Sequence, residues 1–494
     1  MNIPFMGRFK DRMLEHFPVG IFARNVATLM AGTVFAGSIG IIVMPLLTRI
    51  YSPEDFGIFA LYTSLLGVLT VVACWRYELA IVLPEKDEDA ANLLLLCINI
   101  CFGMGLLILI LVAIFRTSLA NLLNSPALAS WLWFLPVSII TASLFRTLNY
   151  WSTRRKDFKR LASRQITQSS VTSVAQIGAG VLCNSINAGG LIGGAIIGQL
   201  AATGRLAWQI ERDEGKSMRS SFSRSNFIQV FKRYKKFPLY DVLSAFSNAA
   251  STMLPVMLLG YFFTPVIVGF YSLGHQVLAA PISVVGTSIA RVFFPRANEA
   301  KRIGNLDQLT LKTFEHLLAI GFAPIFLIAI VAPDLFAVAF GTDWLTAGEY
   351  VRWLSIWFLF VFISSPLSTI YLIMEKQREG LIVNIVMFIS RLVVLVVGGV
   401  KGDALFTIEL FGITGAVLWL FNCIYIQHLA GVSAGDILRV IIRQTLYVLP
   451  YAGIPVLTHL ATQNSLAFVL AGIISGITFL LMHAYRMKKT GEFI

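Results

Sequence analysis

Residues 52–61 read SPEDFGIFAL, and residues 264–273 read TPVIVGFYSL. When the two stretches are aligned, a hydroxyl residue, a proline and a glycine recur at the same spacing, as the pairs Ser52/Thr264, Pro53/Pro265 and Gly57/Gly269. The similarity extends backward, because PLLTRIY at 45–51 is echoed by PVMLLGY at 255–261. Weak internal symmetry of this kind predicts a chain built from two copies of one structural unit.

The composition places both copies in a membrane. The chain has 494 residues, of which 57% are hydrophobic and only 13% are charged, and its mean hydropathy is +0.76. A water-soluble protein of this length needs more polar surface. The apolar runs are long enough for helices, which need about 20 residues to span a bilayer, and they lack the alternation of barrel strands. We therefore predict an all-α integral membrane protein.

About fourteen transmembrane helices are predicted, with twelve as the alternative count. The predicted spans are 25–48, 56–75, 91–115, 129–151, 161–183, 187–208, 239–262, 265–290, 311–333, 345–373, 379–399, 407–428, 439–460 and 465–485. The repeated stretches fall at the turn after helix one and at the turn after helix seven. Six helices separate them, so both copies run in the same direction across the membrane.

The chain is thus predicted to form two parallel six-helix lobes and two further helices, the architecture of an alternating-access transporter. The N-lobe is 1–210, with an amphipathic N-terminus at 1–18, and the C-lobe is 239–431. A basic linker at 211–238 joins the lobes, and helices thirteen and fourteen occupy 432–494. Pro45 and Pro255 lie inside the first helix of each lobe, where a missing N–H permits a kink.

Basic residues predict the orientation. With a cytoplasmic N-terminus, the inner loops carry runs such as RRKDFKR at 154–160 and KRYKK at 232–236, whereas the outer turns hold only Arg49, Arg116 and Lys401. This asymmetry follows the positive-inside rule and predicts that both termini are cytoplasmic. The net charge of +13 is therefore a topology signal, and we expect no nucleic-acid partner.

Charged residues inside apolar spans need a separate reason, because each costs roughly 2.5–3.5 kcal/mol on insertion scales. Arg391 and Arg146 lie deepest in their predicted helices, where a water-filled cavity and a buried ion pair are the two explanations. Four arginines lie nearer to helix ends, where they either snorkel to the interface or line a cavity: Arg24, Arg49, Arg76 and Arg291. Arginines outnumber carboxylates here, which predicts an anionic cargo, since guanidinium groups match phosphate oxygens. Asn149 and Tyr150 add polar and aromatic groups suited to sugars, although a tyrosine here equally fits an anchor at the membrane interface.

Two further stretches carry a family resemblance: MPLLTRIYSPEDFGIFALYTSLLGVL at 44–69 and RYELAIVLPEKDEDAANLL at 76–94. They resemble the N-terminal region of Wzx-type polysaccharide flippases, in the multidrug/oligosaccharidyl-lipid/polysaccharide exporter superfamily. The resemblance implies that the chain moves an undecaprenyl-diphosphate-linked oligosaccharide across the bacterial inner membrane, with the diphosphate on the arginines. It also implies contacts with membrane lipids, a polysaccharide polymerase and a chain-length regulator, and a monomeric state.

The resemblance further implies coupling to an ion gradient without a bound cofactor or metal. Lipid II flippases of the superfamily carry a sodium site with an acidic residue on helix seven and polar partners on later helices, and Asp241 and Asn384 are the equivalents. The second acidic residue of that site is absent near Asn384. The alternative is a proton carried by Asp241 or Glu78, and either carboxylate can instead pair with a neighbouring arginine.

Three rival functions are weighed. A drug exporter of the same superfamily is the nearest alternative, but cationic drugs favour carboxylates over arginines in the cavity. A transporter of the major facilitator type needs a G-x-x-x-D-R-x-G-R-like loop after helix two, where this chain has WRYELAIVLPEKDED at 75–89. A membrane polymerase or ligase needs large outer loops, and the outer turns here are short. We predict a transporter with no catalytic residues.

Overall fold

The computed structural model of the protein describes residues 21–182 and 187–490. The predicted amphipathic N-terminus at 1–18 lies outside the described residues. Within them the chain is helical and contains no strand, so the predicted all-α class is confirmed. The long helices are, in chain order, α1 (Ile21–Ile50), α2 (Pro53–Val72), α3 (Asp87–Leu122), α4 (Leu135–Arg154), α5 (Phe158–Leu182), α6 (Ala188–Ser220), α7 (Val242–Phe262), α8 (Pro265–Ile303), α9 (Leu306–Phe340), α10 (Leu345–Leu367), α11 (Gln377–Lys401), α12 (Ala404–Leu429), α13 (Ala434–Thr462) and α14 (Ser465–Thr490).

Eleven helical stretches among the described residues are long and apolar enough to cross a membrane. The helices α5, α6 and α8, which are 25, 33 and 39 residues long, are outside this set, and α8 contributes a shorter apolar stretch, Pro265–Ala280. The chain is therefore a multi-pass membrane protein, and the count of fourteen spans stays a prediction. Pro45 lies inside α1 and Pro255 inside α7, as the sequence predicts.

The helices cluster into two compact units. The first contains 21–50, Tyr62–Ala120 and Pro126–Met253 of the described chain, and the second contains Tyr51–Leu61, Asn121–Ser125 and Leu254 onward. In the first unit α5 packs against α1 and α6, and in the second α10 packs against α8, α9 and α12. The lobe boundaries predicted from the sequence stay a prediction, and α6 continues into the segment predicted as a linker.

Each unit has its own apolar core. In the first unit the core surrounds Tyr77, Leu93 and Trp151, all buried, where the connection between α2 and α3 meets α4 and α6. In the second unit it surrounds Phe314 and Phe362. By contrast, long apolar side chains of α11 are exposed along most of its length, as expected of a helix that faces lipid.

The repeated stretches start α2 and α8 by the same means. Pro53 and Pro265 occupy the first helical position. A backbone N–H at this position would have no acceptor within the helix, so proline, which lacks the N–H, costs no hydrogen bond there. Ser52 caps α2 through a reciprocal pair, in which its hydroxyl accepts from the Asp55 N–H at 3.2 Å and its N–H donates to the Asp55 carboxylate at 3.0 Å. This is a capping box with Asp as the acidic member.

The two repeated glycines let these helix starts meet within the second unit. A Cβ on Gly57 would overlap the carbonyl oxygen of Pro265, and a Cβ on Gly269 would overlap the carbonyl oxygen of Pro53. The contact is reciprocal, because the proline carbonyl group of each copy packs against the glycine of the other. We call this backbone contact the glycine–proline clasp. It explains why both copies keep proline and glycine at the same spacing.

We expect the Gly57→Ala variant to be less stable than the wild type, because the added methyl group must push the Pro265 backbone away. Overpacking of this kind typically costs about 1–3 kcal/mol. The measurement is the melting temperature of the detergent-solubilised protein.

The matched control is Gly103→Ala on α3, where a Cβ meets no atom within 4 Å. Alanine is the better helix former, so this variant should melt at or slightly above the wild-type temperature. A Gly57→Ala variant that behaves like Gly103→Ala would contradict the clasp.

Candidate functional site

The connection between α2 and α3 takes an unusual backbone course. Trp75 and Arg76 have positive φ angles of 50° and 62°, a region that residues other than glycine seldom adopt. A short 3₁₀ helix, Tyr77–Val82, follows directly. Tyr77 is fully buried, which anchors the turn. The turn thereby places Arg76 and Glu78 beside the start of α7.

Arg76 lies between two carboxylates of the first unit. Its Nε donates to Asp241 Oδ2 at 2.6 Å, and its Nη1 lies 3.6 Å from Glu78 Oε1. Asp241 ends a π-helical turn, Phe237–Asp241, that leads directly into α7. The arginine and the aspartate predicted as separate functional residues are therefore an ion pair.

Glu78 is the buried member of this group. Only 1% of its surface is exposed, and Oε2 has no hydrogen-bond partner. Burial raises the pKa of the Glu78 carboxyl above its ordinary value, and the nearby charges of Arg76 and Arg146 oppose that rise. The carboxyl therefore holds its proton to a higher pH than an exposed glutamate does.

The helix α4 contributes the second arginine. Arg146 and Tyr150 are four residues apart on one face, and both interact electrostatically with Glu78. In the part of the chain that the structure describes, Arg146 makes no salt bridge. Arg76, Glu78, Arg146, Tyr150 and Asp241 thus form one group, which we call the Arg76–Arg146 cluster. Asn149 adjoins it on α4 and is half-buried.

The cluster contains two arginines and two acids, one of which is buried. When Glu78 is ionised the four charges cancel, and when Glu78 is protonated one positive charge remains. The affinity of the cluster for an anion is therefore linked to the protonation of Glu78.

A second group of ion pairs fixes α4 at its C-terminal end. Asp87 accepts from Arg154 and Arg155, each at 2.9 Å, and Glu214 accepts from Arg155 at 2.7 Å and Arg160 at 3.2 Å. The contacts tie the end of α4 to the starts of α3 and α5 and to α6, and so position the Arg146 face. The sequence indicated only that these charges set topology, because basic loops are common in membrane proteins and do not identify their partners.

Arg391 belongs to the second unit and has different neighbours. Its guanidinium carbon lies 5.5 Å from the centre of the Trp357 ring, and it lines a narrow cleft between α11 and α12. Tyr271 and His275 on α8 lie close enough to interact with its charge. The sequence did not identify these three aromatic neighbours, because they come from helices far apart in the chain.

The remaining predicted residues are spread over other helices. Arg49 is exposed in the last turn of α1, Arg291 is exposed on α8, and Asn384 is exposed on α11. Arg24 lies in α1, and its side chain is outside the described part of the structure. The structure brings none of these residues into the Arg76–Arg146 cluster among the side chains that it describes.

Comparison with known proteins gives the family. Residues 46–349 match the family model described as polysaccharide biosynthesis protein, Polysacc_synt_3. The chain belongs to this family. The match covers more than half of the chain and includes α2, α3 and the whole Arg76–Arg146 cluster. No curated protein sequence matches the chain.

Solved structures give the fold. The protein is similar to the lipid II flippase MurJ in an inward closed conformation, with a TM-score of 0.72 and 15% identity over 93% of this chain and 99% of that one. An inward-facing MATE multidrug transporter of the MOP superfamily has a TM-score of 0.49 and 16% identity, over 82% of this chain and 96% of that one. The family is thus one of polysaccharide biosynthesis proteins, and the fold is one also found in the lipid II flippase MurJ.

Proposed function

We propose that the chain moves an undecaprenyl-diphosphate-linked oligosaccharide repeat unit from the cytoplasmic to the periplasmic leaflet of the bacterial inner membrane by alternating access. The observation that carries the proposal is the family match over residues 46–349, because it joins polysaccharide synthesis to a multi-pass membrane chain. The fold shared with a lipid II flippase supports a lipid-linked cargo. The product would serve O-antigen, capsule or exopolysaccharide synthesis.

The Arg76–Arg146 cluster supplies the proposed binding site for the diphosphate. Arg146 has no carboxylate partner within salt-bridge distance among the described residues, so its guanidinium is available to phosphate oxygens. Arg76 shares its charge between Asp241 and Glu78, and a diphosphate would compete with these acids for it. Tyr150 and Asn149 lie beside Arg146 and would contact the first sugar.

Glu78 is the proposed proton carrier of ion coupling. A diphosphate next to Glu78 repels the ionised carboxylate, so cargo binding favours its protonated form. Proton and cargo therefore bind cooperatively at the cluster and would move in the same direction, and the negative charge of the diphosphate, larger than the charge of one proton, lets the membrane potential favour export. The sodium alternative would use Asp241 with Asn384. Asp241 already pairs with Arg76 at 2.6 Å, which favours the proton.

The proposal leaves the other predicted contributors in place. Arg24, Arg49 and Arg291 would each offer a further positive charge to the cargo. The basic loops support cytoplasmic termini, and we expect a monomer that hands its cargo to a polysaccharide polymerase and a chain-length regulator.

We expect Arg146→Ala to reduce surface polysaccharide strongly in a strain whose own copy is deleted. Charge-assisted hydrogen bonds are worth about 1.5–3 kcal/mol, which corresponds to roughly ten- to hundredfold in cargo affinity. The measurement is the amount of surface polymer at equal membrane levels of the protein, and Arg146→Lys should restore part of it.

The matched control is Arg302→Ala, which removes an exposed arginine at the end of α8 and should leave the polymer unchanged. Normal polymer levels with a folded Arg146→Ala protein would remove Arg146 from the cargo site.

We expect the affinity for a sugar-capped undecaprenyl diphosphate to fall in the wild type as the pH rises above the ordinary range of a glutamate carboxyl, because Glu78, whose pKa is raised by burial, loses its proton there. The raised pKa of Glu78 in the free protein sets the pH at which the affinity begins to fall. The still higher pKa of Glu78 in the cargo complex sets the pH at which the fall is complete. The Glu78→Gln variant should bind with a nearly constant affinity, because glutamine stays neutral. Native mass spectrometry measures both affinities.

Glu299→Gln is the control, since Glu299 is an exposed carboxylate on α8, and it should keep the wild-type pH dependence. An equal pH dependence in the wild type and Glu78→Gln would reject Glu78 as the proton carrier.

A further inference from the structure

The narrow cleft beside Arg391 is a second charged site, in the second unit. It lies between α11 and α12, and its polar lining includes Ser390, Arg391, Thr414 and Trp419. Its volume is about 10 Å³, which is room for one water-sized particle. A diphosphate with its sugar is far too large for this space. The contact between Arg391 and the cargo diphosphate stays a prediction, and the cleft itself calls for a smaller ligand.

The charge of Arg391 is uncompensated by protein groups in this position. Arg391 is half-buried, and no Asp or Glu lies within salt-bridge distance of it in the described chain. The Trp357 ring offers only a cation–π contact at 5.5 Å. A guanidinium removed from water without a counter-ion is costly, so the cleft requires a negative charge from outside the chain.

Two buried indole N–H groups point to the same kind of ligand. Trp357 is only 6% exposed, and its Nε1–H has no acceptor. The Nε1–H of Trp419, whose ring lines the cleft, also has none. Indole nitrogen donates and never accepts a hydrogen bond. An unpaired buried donor costs about as much as a lost hydrogen bond.

Gly415 brings the first of these indoles to the cleft wall. It lines the cleft, and a Cβ at this position would lie 3.0 Å from Cδ1 of Trp357, the ring atom bonded to Nε1. The missing side chain thus lets the Trp357 ring pack directly against α12 at Gly415, next to the cleft. Met387, a flexible side chain, also lines it and can adjust to a slightly larger particle.

We propose that this cleft binds one small monovalent anion of the size of chloride. The guanidinium of Arg391 supplies the opposite charge, and the two indole N–H groups supply hydrogen bonds. A water molecule would satisfy the two donors and leave the charge uncompensated. The anion neutralises Arg391 and so stabilises the packing of α11 against α12 and α10.

The first test compares the melting temperature of the detergent-solubilised protein in sodium chloride and in sodium gluconate at equal ionic strength. Gluconate is too large for the cleft. We expect chloride to raise the melting temperature by about 1–3 °C, because a ligand that binds only the folded state stabilises it. Arg391→Gln should abolish this rise. Arg378→Gln, which removes an exposed arginine of the same helix, should keep it.

Trp419→Phe keeps the aromatic ring and removes the donor, so it should reduce the chloride effect even if Arg391→Gln fails to fold. Anomalous diffraction from crystals grown with bromide should show a peak beside the Arg391 guanidinium. A chloride effect of equal size in all variants, no chloride effect in the wild type, or a bromide-free cleft would each overturn the proposal.

Discussion

A guanidinium group enclosed in a helical membrane bundle needs a compensating partner, because placing a charge there is expensive. Arg164 contacts the Phe145 ring and Gln199, and the chain meets the requirement in three other ways at Arg76, Arg146 and Arg391. Arg76 is paired with Asp241 and approaches Glu78. Arg146 has only a buried carboxyl nearby, whose charge depends on pH. Arg391 has no acid within salt-bridge distance in the described chain. Of these three, the sites that lack a fixed carboxylate are those where we assign an external anion.

The difference between the two sites lies in their size and neighbours. The Arg76–Arg146 cluster combines arginines with acids, so its net charge changes by one unit with a single proton. Such a site suits a cargo that must be bound and then released. The cleft beside Arg391 has no acid in its lining and has room for one small particle, which suits an ion that stays in place. Under these proposals, one composition bias, arginine over carboxylate, would serve two roles.

The sequence predicted the fold class well, because long apolar runs have few structural solutions in a bilayer. The repeat around Gly57 and Gly269 was also visible in the sequence, since both a helix-starting proline and a closely packed glycine are position-specific requirements. Its cause was not visible. Only the structure places the proline of each copy on the glycine of the other.

The candidate site was predicted residue by residue but not as an arrangement. Arg76, Arg146, Glu78 and Asp241 were each identified because charge in an apolar chain is conspicuous. The pairing of Arg76 with Asp241 depends on a turn with two positive φ angles, which no pattern of residue types indicates. The indoles around Arg391 were missed because tryptophan is common at membrane interfaces, so its occurrence identifies no buried donor.

The claim that the chain carries a lipid-linked oligosaccharide is tested most directly by mass spectrometry of lipid-linked sugars in a strain that lacks the protein. The account predicts that undecaprenyl-diphosphate-linked repeat units accumulate, that they remain on the cytoplasmic side of the inner membrane, and that the wild-type chain clears them. Lipid-linked sugars at the same level and in the same leaflet with and without the chain would contradict it.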